Sequence, residues 1–358
     1  MIVDRVDVFG LDLPLTDPFE ISLGTKHEAA NVLVRLETET GTVGYGEAAP
    51  LETIVGETQA SAIAQAEAGA ALLEGRNVVD RRRLVADLRA ALPGAVSAIF
   101  ALETALYDAY CREEGLALAA CFGGTPGPVT TDLTIGMVDP ETAVTEAEAA
   151  LEDGFDQLKV KVGGDLESDL KRVAAVSDVA PDTGLTVDAN QGWTPKQAIQ
   201  FATRARSRDL HLDLLEQPVR LDDVAGLKRV TQAVEVPVGA DESVFSIEDA
   251  LRVASEGAAD VINIKAAKSG LADSVAIAEI ARAANLEVMI GCMLESAIGL
   301  HASAHLVSGL GGFSHVDLDG NFSFERQVSD VEVGPTLETS GPGHGIVPDP
   351  ALVPDRLG

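Results

Sequence analysis

The feature that most constrains the fold is a series of short apolar runs that end in charged residues. The runs are LKVKV (158–162), GLTVDAN (184–190), LDLLEQP (212–218), VPVGADES (236–243) and DVINIKAAK (260–268). The charged residues at their ends are Lys159, Lys161, Asp188, Glu216, Asp241 and Lys265. From Asp188 to Lys265, successive members lie 28, 25 and 24 residues apart, which is about the length of one βα unit. This spacing predicts parallel strands whose charged ends meet in one place.

Eight strands are predicted in the part of the chain that follows residue 125. They are 129–136, 157–162, 184–188, 212–216, 237–240, 260–264, 287–290 and 314–318. Helical segments alternate with them, among them 140–153, 164–179, 194–208, 246–256 and 271–285. Barrel enzymes build their active sites at the C-terminal ends of the strands. Because nearly every strand here ends in a polar or charged side chain, the pattern favours an α/β fold with a TIM-like (β/α) barrel over a doubly wound sheet.

Residues 1–125 follow a different pattern. Three strand-like runs, IVDRVDVFGLDL, NVLVRLET and GTVGYGEA, precede alanine-rich helical stretches at 58–75, 80–92 and 95–115. This order predicts a separate α+β domain. The Gly/Pro-rich break CFGGTPGP at 121–128 marks its end, so the barrel is predicted over 126–324. The irregular tail from about 325 to 358 is predicted to fold back onto the first domain.

The overall charge narrows the class of partner. The net charge is −31, from 57 acidic and 26 basic residues, and the acidic residues are dispersed through helical segments such as TEAEAALEDG. A dispersed acidic surface stays hydrated and disfavours nucleic acid and anionic membranes as partners. We interpret it as halophilic adaptation to a saline cytoplasm, with the hypothesis that folding stability rises with KCl.

Cysteines and histidines do not predict a disulfide framework or a zinc site. Cys111, Cys121 and Cys292 are odd in number and widely spaced. His301 and His305 lie four residues apart without a third ligand nearby, so a partly buried helix is predicted there. The start of the sequence lacks a signal-peptide pattern, and no run approaches a transmembrane span. A cytoplasmic protein that forms a homo-oligomer is expected.

Lysine is scarce, with eight residues against 18 arginines, yet four of the eight fall within the strand-end motifs. Lys159 and Lys161 are two residues apart, so on a strand they point to the same face. Like charges at close range lower the pKa of a lysine, which would let one of the two act as a base near neutral pH. The alternative is an exposed strand edge with two solvated lysines.

Asp188, Glu216 and Asp241 each close a mostly apolar strand, where a lone carboxylate is costly. Three carboxylates form half of an octahedral Mg²⁺ shell and leave positions for substrate oxygens and water; Mn²⁺ suits the same ligands. The alternative is three separate helix N-caps, a role that Asn190 or Ser243 could fill instead.

Lys265 ends the sixth predicted strand, and across a barrel it would face Lys161 on the second strand. Bases on opposite faces of one carbon are what a 1,1-proton transfer needs. A metal that binds the adjacent substrate carboxylate would stabilise the enediolate formed on the way. The pattern therefore predicts an enzyme that removes a proton next to a carboxylate.

Together, these motifs resemble the enolase superfamily, muconate-lactonizing-enzyme subgroup, over essentially the whole chain. The resemblance implies a modified TIM barrel of the (β/α)7β type with an N-terminal capping domain, and Mg²⁺ held by the three carboxylates. It also implies that Lys161 and Lys265 are the acid/base pair, with Lys159 tuning Lys161. Asn190 and Lys268 are expected beside the metal ligands rather than on the substrate.

The eighth predicted strand, HVDLDG, places Asp317 and Asp319 on one face. Two carboxylates there would hold a cation such as a free α-ammonium group. This Asp-x-Asp is similar to the dipeptide epimerases, and so is GCMLES (291–296), whose Ser296 is expected to contact the peptide. The resemblance implies an isomerase that inverts the α-carbon of the C-terminal residue of a dipeptide. The alternative is a pair of rim residues in an acidic protein.

The loop PFEISLGTKHE (18–28) resembles the capping-domain specificity loop. Epimerases that act on L-Ala-L-Glu usually carry an arginine where this sequence has Gly24. Either Lys26 replaces that arginine, or the enzyme prefers uncharged or other dipeptides. The second residue of the substrate therefore stays open at this point.

Two other functions compete with this one. One is a lyase or racemase of the same subgroup that acts on an anionic substrate, such as o-succinylbenzoate synthase or N-acylamino acid racemase. Such substrates have no ammonium group to meet Asp317 and Asp319. The other is a catalytically silent barrel that serves as a binding protein, which the intact lysine pair disfavours.

Overall fold

The computed structural model describes residues 1–352. The strands are β1 Val3–Ile21, β2 Gly24–Thr38, β3 Val43–Ala48, β4 Pro128–Thr130, β5 Leu133–Ile135, β6 Gln157–Lys161, β7 Gly184–Asp188, β8 Leu214–Glu216, β9 Val238–Ala240, β10 Val261–Ile264, β11 Glu287–Ile290, β12 His315–Val316 and β13 Thr336–Glu338. The α-helices are α1 Glu52–Val55, α2 Gln59–Leu73, α3 Arg81–Ala91, α4 Val96–Glu114, α5 Pro140–Glu152, α6 Leu166–Val179, α7 Pro195–Arg206, α8 Val224–Thr231, α9 Ile247–Glu256, α10 Ala266–Ser269, α11 Leu271–Ala283 and α12 Ala297–Leu310. Short 3₁₀ helices cover Val78–Asp80, Leu118–Phe122 and Pro350–Leu352.

The first three strands form an antiparallel sheet in the order β1-β2-β3, and α2 and α4 pack against it. Small residues allow α4 to lie directly on β3. A side chain at Gly44 or Gly46 would collide with the α4 backbone at Ala105 or Ala101. Since α4 is buried along most of its length, this close contact forms the core of the N-terminal part.

Strands β5 to β12 form one parallel sheet in sequence order, and the sheet curls into a barrel. Asp132 N donates to Val316 O at 3.0 Å, and Leu318 N donates to Thr131 Oγ1 at 2.7 Å, so the first and eighth barrel strands meet. Helices follow the first seven of these strands, whereas β12 leads into the tail. The predicted (β/α)7β barrel is therefore confirmed.

The predicted strand 129–136 divides into two. Its first part, β4, pairs antiparallel with β13 from the tail, and its second part, β5, joins the barrel. The break falls at Thr131 and Asp132. The Thr131 hydroxyl and the Asp132 amide form hydrogen bonds with the end of the eighth barrel strand instead. One predicted strand thus serves two sheets, which a pattern of residue types alone does not show.

The tail packs against the N-terminal sheet. Phe324, Val328 and Ile346 form one apolar cluster with Leu11 and Leu13 of β1. An isolated bridge between Leu15 and Phe324 continues this contact. The domain boundaries near residues 125 and 324 stay predictions.

Buried carboxylates join the N-terminal part to barrel helices. Glu47 of β3 accepts hydrogen bonds from Ser296 N, at 2.9 Å, and from Gly299 N, at 3.2 Å, at the start of α12. Glu103 of α4 accepts from the first amides of α11, at Leu271. The first amides of a helix lack partners within the helix and attract negative charge. These two glutamates therefore fix the orientation of both helices against the capping sheet.

Helix α12 is buried, and so are its two histidines. The ring of His305 accepts a hydrogen bond from Ala119 N at 3.2 Å. Burial, together with the charge of the neighbouring His344 ring, lowers the pKa of His301 and of His305 to about 4. Both rings are therefore neutral in the folded protein near neutral pH.

These lowered pKa values predict a pH-dependent contribution to stability. Between about pH 6.5 and about pH 4 the unfolded chain binds protons at these histidines that the folded chain does not. They therefore destabilise the fold as pH falls, by up to about 1.4 kcal/mol per pH unit for each histidine. Urea unfolding from about pH 7.5 to about pH 5 measures this. Relative to the unmodified protein, the variant His301→Asn/His305→Gln should gain stability as pH falls.

The exposed His27 offers a matched control. The stability of His27→Gln, measured over the same pH range, is the baseline for the double variant. A gain of the double variant no larger than this baseline would contradict the prediction.

Candidate active site

A cleft of about 200 Å³ opens at the C-terminal ends of the barrel strands, beneath the hairpin that joins β1 to β2. The predicted site residues that line it are Gly24, Lys26, Lys161, Asn190, Lys265, Asp317 and Asp319. The hairpin contacts the barrel rim directly, since Ser22 Oγ donates to Asn190 O at 2.7 Å. Residues of the capping part and of the barrel therefore share one cavity.

Strand register brings the predicted metal ligands side by side. Lys161 pairs with Asp188, and Asp188 pairs with Glu216, in the parallel ladder of β6, β7 and β8. Asp241 directly follows β9, the next strand of the barrel. All three carboxylates are fully buried. The strand ends thus hold a triad of buried carboxylates that does not itself line the cleft but contacts two lysines that do, Lys161 and Lys265.

Two lysines of β6 neutralise part of this charge. Lys159 Nζ lies 2.8 Å from Glu216 Oε2 and 3.1 Å from Asp188 Oδ2. Its third contact, at 2.6 Å, is with Asp317 Oδ2. Lys161 Nζ lies 2.7 Å from Asp188 Oδ2. The two lysines point to the same side of the strand, and each ammonium group is balanced by a carboxylate.

Two more lysines surround Asp241. Lys265 Nζ lies 2.9 Å from Asp241 Oδ2. Lys268, fully buried, places its Nζ 2.5 Å from Asp241 Oδ1 and 2.6 Å from the backbone oxygen of the same residue. Lys268 thus lies beside a predicted metal ligand, while Lys265 also lines the cleft.

These contacts set the protonation of the triad. Burial alone would raise the pKa of Asp188, but the ammonium groups of Lys161 and Lys159 lower it to about 2. Burial and the Asp188 carboxylate raise the pKa of Glu216 to about 7. Burial lowers the pKa of Lys159, but the carboxylates of Asp317 and Glu216 outweigh it and raise the pKa well above its ordinary value. The lowering expected from two adjacent lysines therefore does not apply to Lys159.

The carboxylate triad fits a hard divalent cation. Glu216 Oε2 and Asp241 Oδ2 are buried and accept no hydrogen bond from any residue in 1–352. An ammonium nitrogen forms an ion pair with each oxygen, Lys159 with Glu216 at 2.8 Å and Lys265 with Asp241 at 2.9 Å. Buried carboxylate oxygens are the ligand type that Mg²⁺ prefers, and the three of this triad come from adjacent strands.

The two lysines that face the cleft lie on opposite sides of the barrel. Lys161 belongs to β6 and Lys265 follows β10, and three strands of the eight-stranded barrel separate these two in either direction. A substrate carbon held between them would therefore meet one amine on each face. This is the arrangement that a two-base proton transfer needs.

Asp317 and Asp319 line the cleft, but their surroundings differ. Asp317 is buried and bonded to Lys159. Asp319 Oδ2 accepts from Thr134 N at 2.6 Å, and burial together with the Asp317 charge raises the pKa of Asp319 to about 6. The sequence suggested two equivalent carboxylates, whereas only Asp319 lacks an ammonium partner within residues 1–352.

Ser296, which was predicted to contact the substrate, does not line the cleft. Ser296 is the N-cap of α12 and is completely buried. Its Oγ donates to Glu47 Oε2 at 2.5 Å and accepts from Ile298 N. The hydroxyl therefore faces the capping sheet rather than the cleft.

Two buried polar residues of the site were not predicted. One is Asn263, whose Nδ2 donates to Glu216 Oε1 at 2.7 Å. The other is Glu242, whose Oε1 accepts from Asn190 Nδ2 at 3.2 Å. Burial and the Asp241 charge raise the pKa of Glu242 to about 8. Both had a signal in the sequence. Asn263 precedes Lys265 by two residues on one strand face, and Glu242 directly follows a predicted ligand.

Comparison with known proteins covers both parts of the chain. Residues 5–123 match the family "Mandelate racemase / muconate lactonizing enzyme, N-terminal domain", and residues 142–352 match "Enolase C-terminal domain-like". An aromatic dipeptide epimerase of Herpetosiphon aurantiacus is 40% identical, over 88% of this chain and 89% of that protein. An L-Ala-D/L-Glu epimerase of Bacillus subtilis is 36% identical, over 97% of each chain.

Solved structures show the same similarity. The dipeptide epimerase of Enterococcus faecalis, crystallised with Mg and the dipeptide L-Leu-L-Tyr, superposes with a TM-score of 0.91 at 36% identity, over 96% of this chain and 99% of that one.

None of the helices within residues 1–352 combines the length and apolar character needed to cross a membrane.

The three buried carboxylates of the triad predict a stabilising response to magnesium. A cation that binds only the folded state stabilises it by RT ln(1 + [L]/Kd), about 3 kcal/mol at a hundredfold excess over Kd. EDTA should lower the Tm and Mg²⁺ should restore it, measured by calorimetry. Glu216→Gln should abolish the response. Asp319→Asn removes a cleft carboxylate outside the triad and should retain the response; equal loss in both variants would place the cation elsewhere.

Proposed function

This chain belongs to the mandelate racemase and muconate-lactonizing enzyme family of the enolase superfamily, and we propose that it is a magnesium-dependent dipeptide epimerase. The reaction would invert the α-carbon of the C-terminal residue of a dipeptide. The observation that carries the proposal is the pair Lys161 and Lys265, which lie on opposite sides of one cleft and each contact a carboxylate of the buried triad. The names of the relatives support the same activity.

The proposed roles follow from these positions. One of the two cleft lysines, in its neutral form, removes the α-proton from one face, and the other returns a proton to the opposite face, through an enediolate. Mg²⁺ bound by Asp188, Glu216 and Asp241 would neutralise the negative charge that develops on the substrate carboxylate. Mn²⁺ suits the same ligands and is proposed as a substitute. Lys159 keeps its charge and positions the triad, since three carboxylates surround it.

The free α-ammonium group of the dipeptide would bind at Asp319. This carboxylate lines the cleft and is oriented by its bond to Thr134 N. An o-succinylbenzoate synthase or an N-acylamino acid racemase would place no cation there. A silent binding protein would have no use for two lysines on opposite sides of the cavity.

Side chains of the capping hairpin are proposed to select the second residue of the substrate. Phe19, Ile21 and Leu23 line the cleft, together with Leu51 and Ile54. Lys26, which belongs to the same hairpin, also lines the cleft. It forms no ion pair within the described part of the chain. We propose that the cleft prefers dipeptides with an apolar second residue and also accepts an acidic one through Lys26.

We also propose that the protein is cytoplasmic, adapted to high salt, and a homo-oligomer. The net charge of −31, dispersed over the chain, supports the adaptation to high salt. The mutual repulsion of the acidic groups weakens as added salt shortens the Debye length.

The two-base mechanism predicts distinct outcomes for the two lysines. In D₂O with Mg²⁺ and a dipeptide mixture, the α-position of the C-terminal residue should acquire deuterium, followed by NMR or mass spectrometry. Lys161→Ala and Lys265→Ala should each lower epimerisation by at least about 10²-fold, the usual contribution of a general base. Each variant should retain exchange of one stereoisomer only, because one base is left.

The control is Lys196→Ala, an exposed lysine on α7. It should leave exchange unchanged. Turnover of an N-succinyl amino acid without exchange of any dipeptide would reject the epimerase and favour the racemase.

The role of Lys26 predicts a change in selectivity rather than in chemistry. Lys26→Gln should lower kcat/KM for L-Ala-L-Glu about fivefold, as expected for a half-exposed ion pair of about 1 kcal/mol. The value for L-Ala-L-Leu should change less than about twofold, since no charge is lost from its contacts. Lys196→Gln serves as the matched control. Equal losses on both dipeptides would show that Lys26 does not read the second side chain.

Salt adaptation predicts that the Tm rises as KCl is added. Most of the rise should occur below about 1 M, where the Debye length reaches about 3 Å. Calorimetry in KCl, with sucrose of equal osmolality as the control, measures it. A flat or falling curve in KCl would reject the adaptation.

A further inference from the structure

A cysteine lies among the carboxylates that receive the substrate. Cys292 follows β11, which pairs with β12 in the register Ile290 to Val316. Cys292 and the segment from Asp317 to Asp319 therefore both lie just beyond the paired ends of these two strands. The glycine after Asp319 makes the approach close, because a side chain at Gly320 would collide with the backbone of Met293, next to Cys292.

The three side chains converge on one point. One ligand atom each from Cys292, Asp317 and Asp319 lies within 4.8 Å of the other two. Cys292 Sγ is 4.0 Å from Asp319 Oδ1, and Asp319 Oδ2 is held by Thr134 N. All three residues line the cleft, so a solute that enters the cleft reaches them.

We propose that Cys292, Asp317 and Asp319 form a second metal site, for a thiophilic divalent cation such as Zn²⁺, and that its occupation excludes the ammonium group of the substrate. Three protein ligands and one open position are a common zinc arrangement. Zinc bond lengths of about 2.3 Å to sulfur and 2.1 Å to oxygen place those two atoms about 3.6 Å apart in a tetrahedron. The observed 4.0 Å needs a contraction of only a few tenths of an ångström.

The two sites select different cations. The triad of Asp188, Glu216 and Asp241 offers oxygen alone, which suits Mg²⁺. A thiolate selects soft metals, so zinc can occupy the Cys292 site while magnesium occupies the triad. The exclusion of the dipeptide rests on the proposed function, whereas the binding of zinc does not.

Binding must displace the thiol proton to solvent. Burial and the Asp317 and Asp319 carboxylates raise the pKa of Cys292 well above its ordinary value. Zinc affinity should therefore increase with pH, with one proton released from the thiol for each cation bound.

Co²⁺ titration of the full chain in saturating Mg²⁺ tests the site, because cobalt bound to a thiolate gives a charge-transfer band in the near ultraviolet. One equivalent should produce the band, and Zn²⁺ should remove it by displacement. Cys292→Ser should abolish the band, and Asp319→Asn should weaken cobalt binding about tenfold or more. Cys121→Ser, a half-buried thiol outside the cleft, should keep the band. A band that persists in Cys292→Ser, or no band in the unmodified protein, would overturn the site.

Inhibition tests the second half of the proposal. With saturating Mg²⁺, Zn²⁺ should inhibit epimerisation in competition with the dipeptide, and the ratio of rates with and without zinc should return toward one in Cys292→Ser. Inhibition that persists in that variant and is relieved by more Mg²⁺ would assign zinc to the triad and overturn the exclusion. A cobalt band without turnover of any dipeptide would reject the proposed function and leave the metal site standing.

Discussion

The barrel mouth depends on the mutual neutralisation of buried charges. Four lysines and the carboxylates of Asp188, Glu216, Asp241 and Asp317 meet there with little or no exposure. An isolated charge in such surroundings is too costly to persist, whereas a paired one is tolerated. Each side chain is therefore held in place by its partners. The apolar strands beneath them supply rigidity rather than charge.

The closed barrel makes this balance possible. Register places Lys161, Asp188 and Glu216 in one row, and the order of strands places Lys265 on the opposite side. Neither arrangement depends on loops. Glu47 and Glu103 fix the capping sheet to the starts of two barrel helices, so the hairpin that covers the cleft is positioned by buried hydrogen bonds. Opposed lysines and a covered cavity are thus consequences of topology.

Much of the site was predictable because the spacing of the charged residues in the sequence indicates where the parallel strands end. The lysine pair, the carboxylate triad and Lys265 all follow from one repeated interval, and their convergence follows from parallel strands. Directions of side chains beyond the strands were not predictable. Ser296 turned toward the capping sheet because a buried glutamate lies there, and Asp317 turned toward Lys159. The partners of these two side chains, Glu47 and Lys159, are remote in sequence. The residues around Ser296 and Asp317 therefore do not predict the contacts.

Some charged side chains of the cleft are paired with an opposite charge and others are not. The electric field in the cleft therefore has a direction. Lys161 and Lys265 face the cavity from opposite sides, each paired with a carboxylate, whereas Asp319 faces it without an ammonium partner among residues 1–352. A dipeptide carries opposite charges at its two ends, so this field favours one orientation, with the carboxylate toward the lysines and the ammonium toward Asp319. That orientation places the α-carbon of the C-terminal residue between the two amines. The same field explains why a cation other than the substrate would collect beside Asp319.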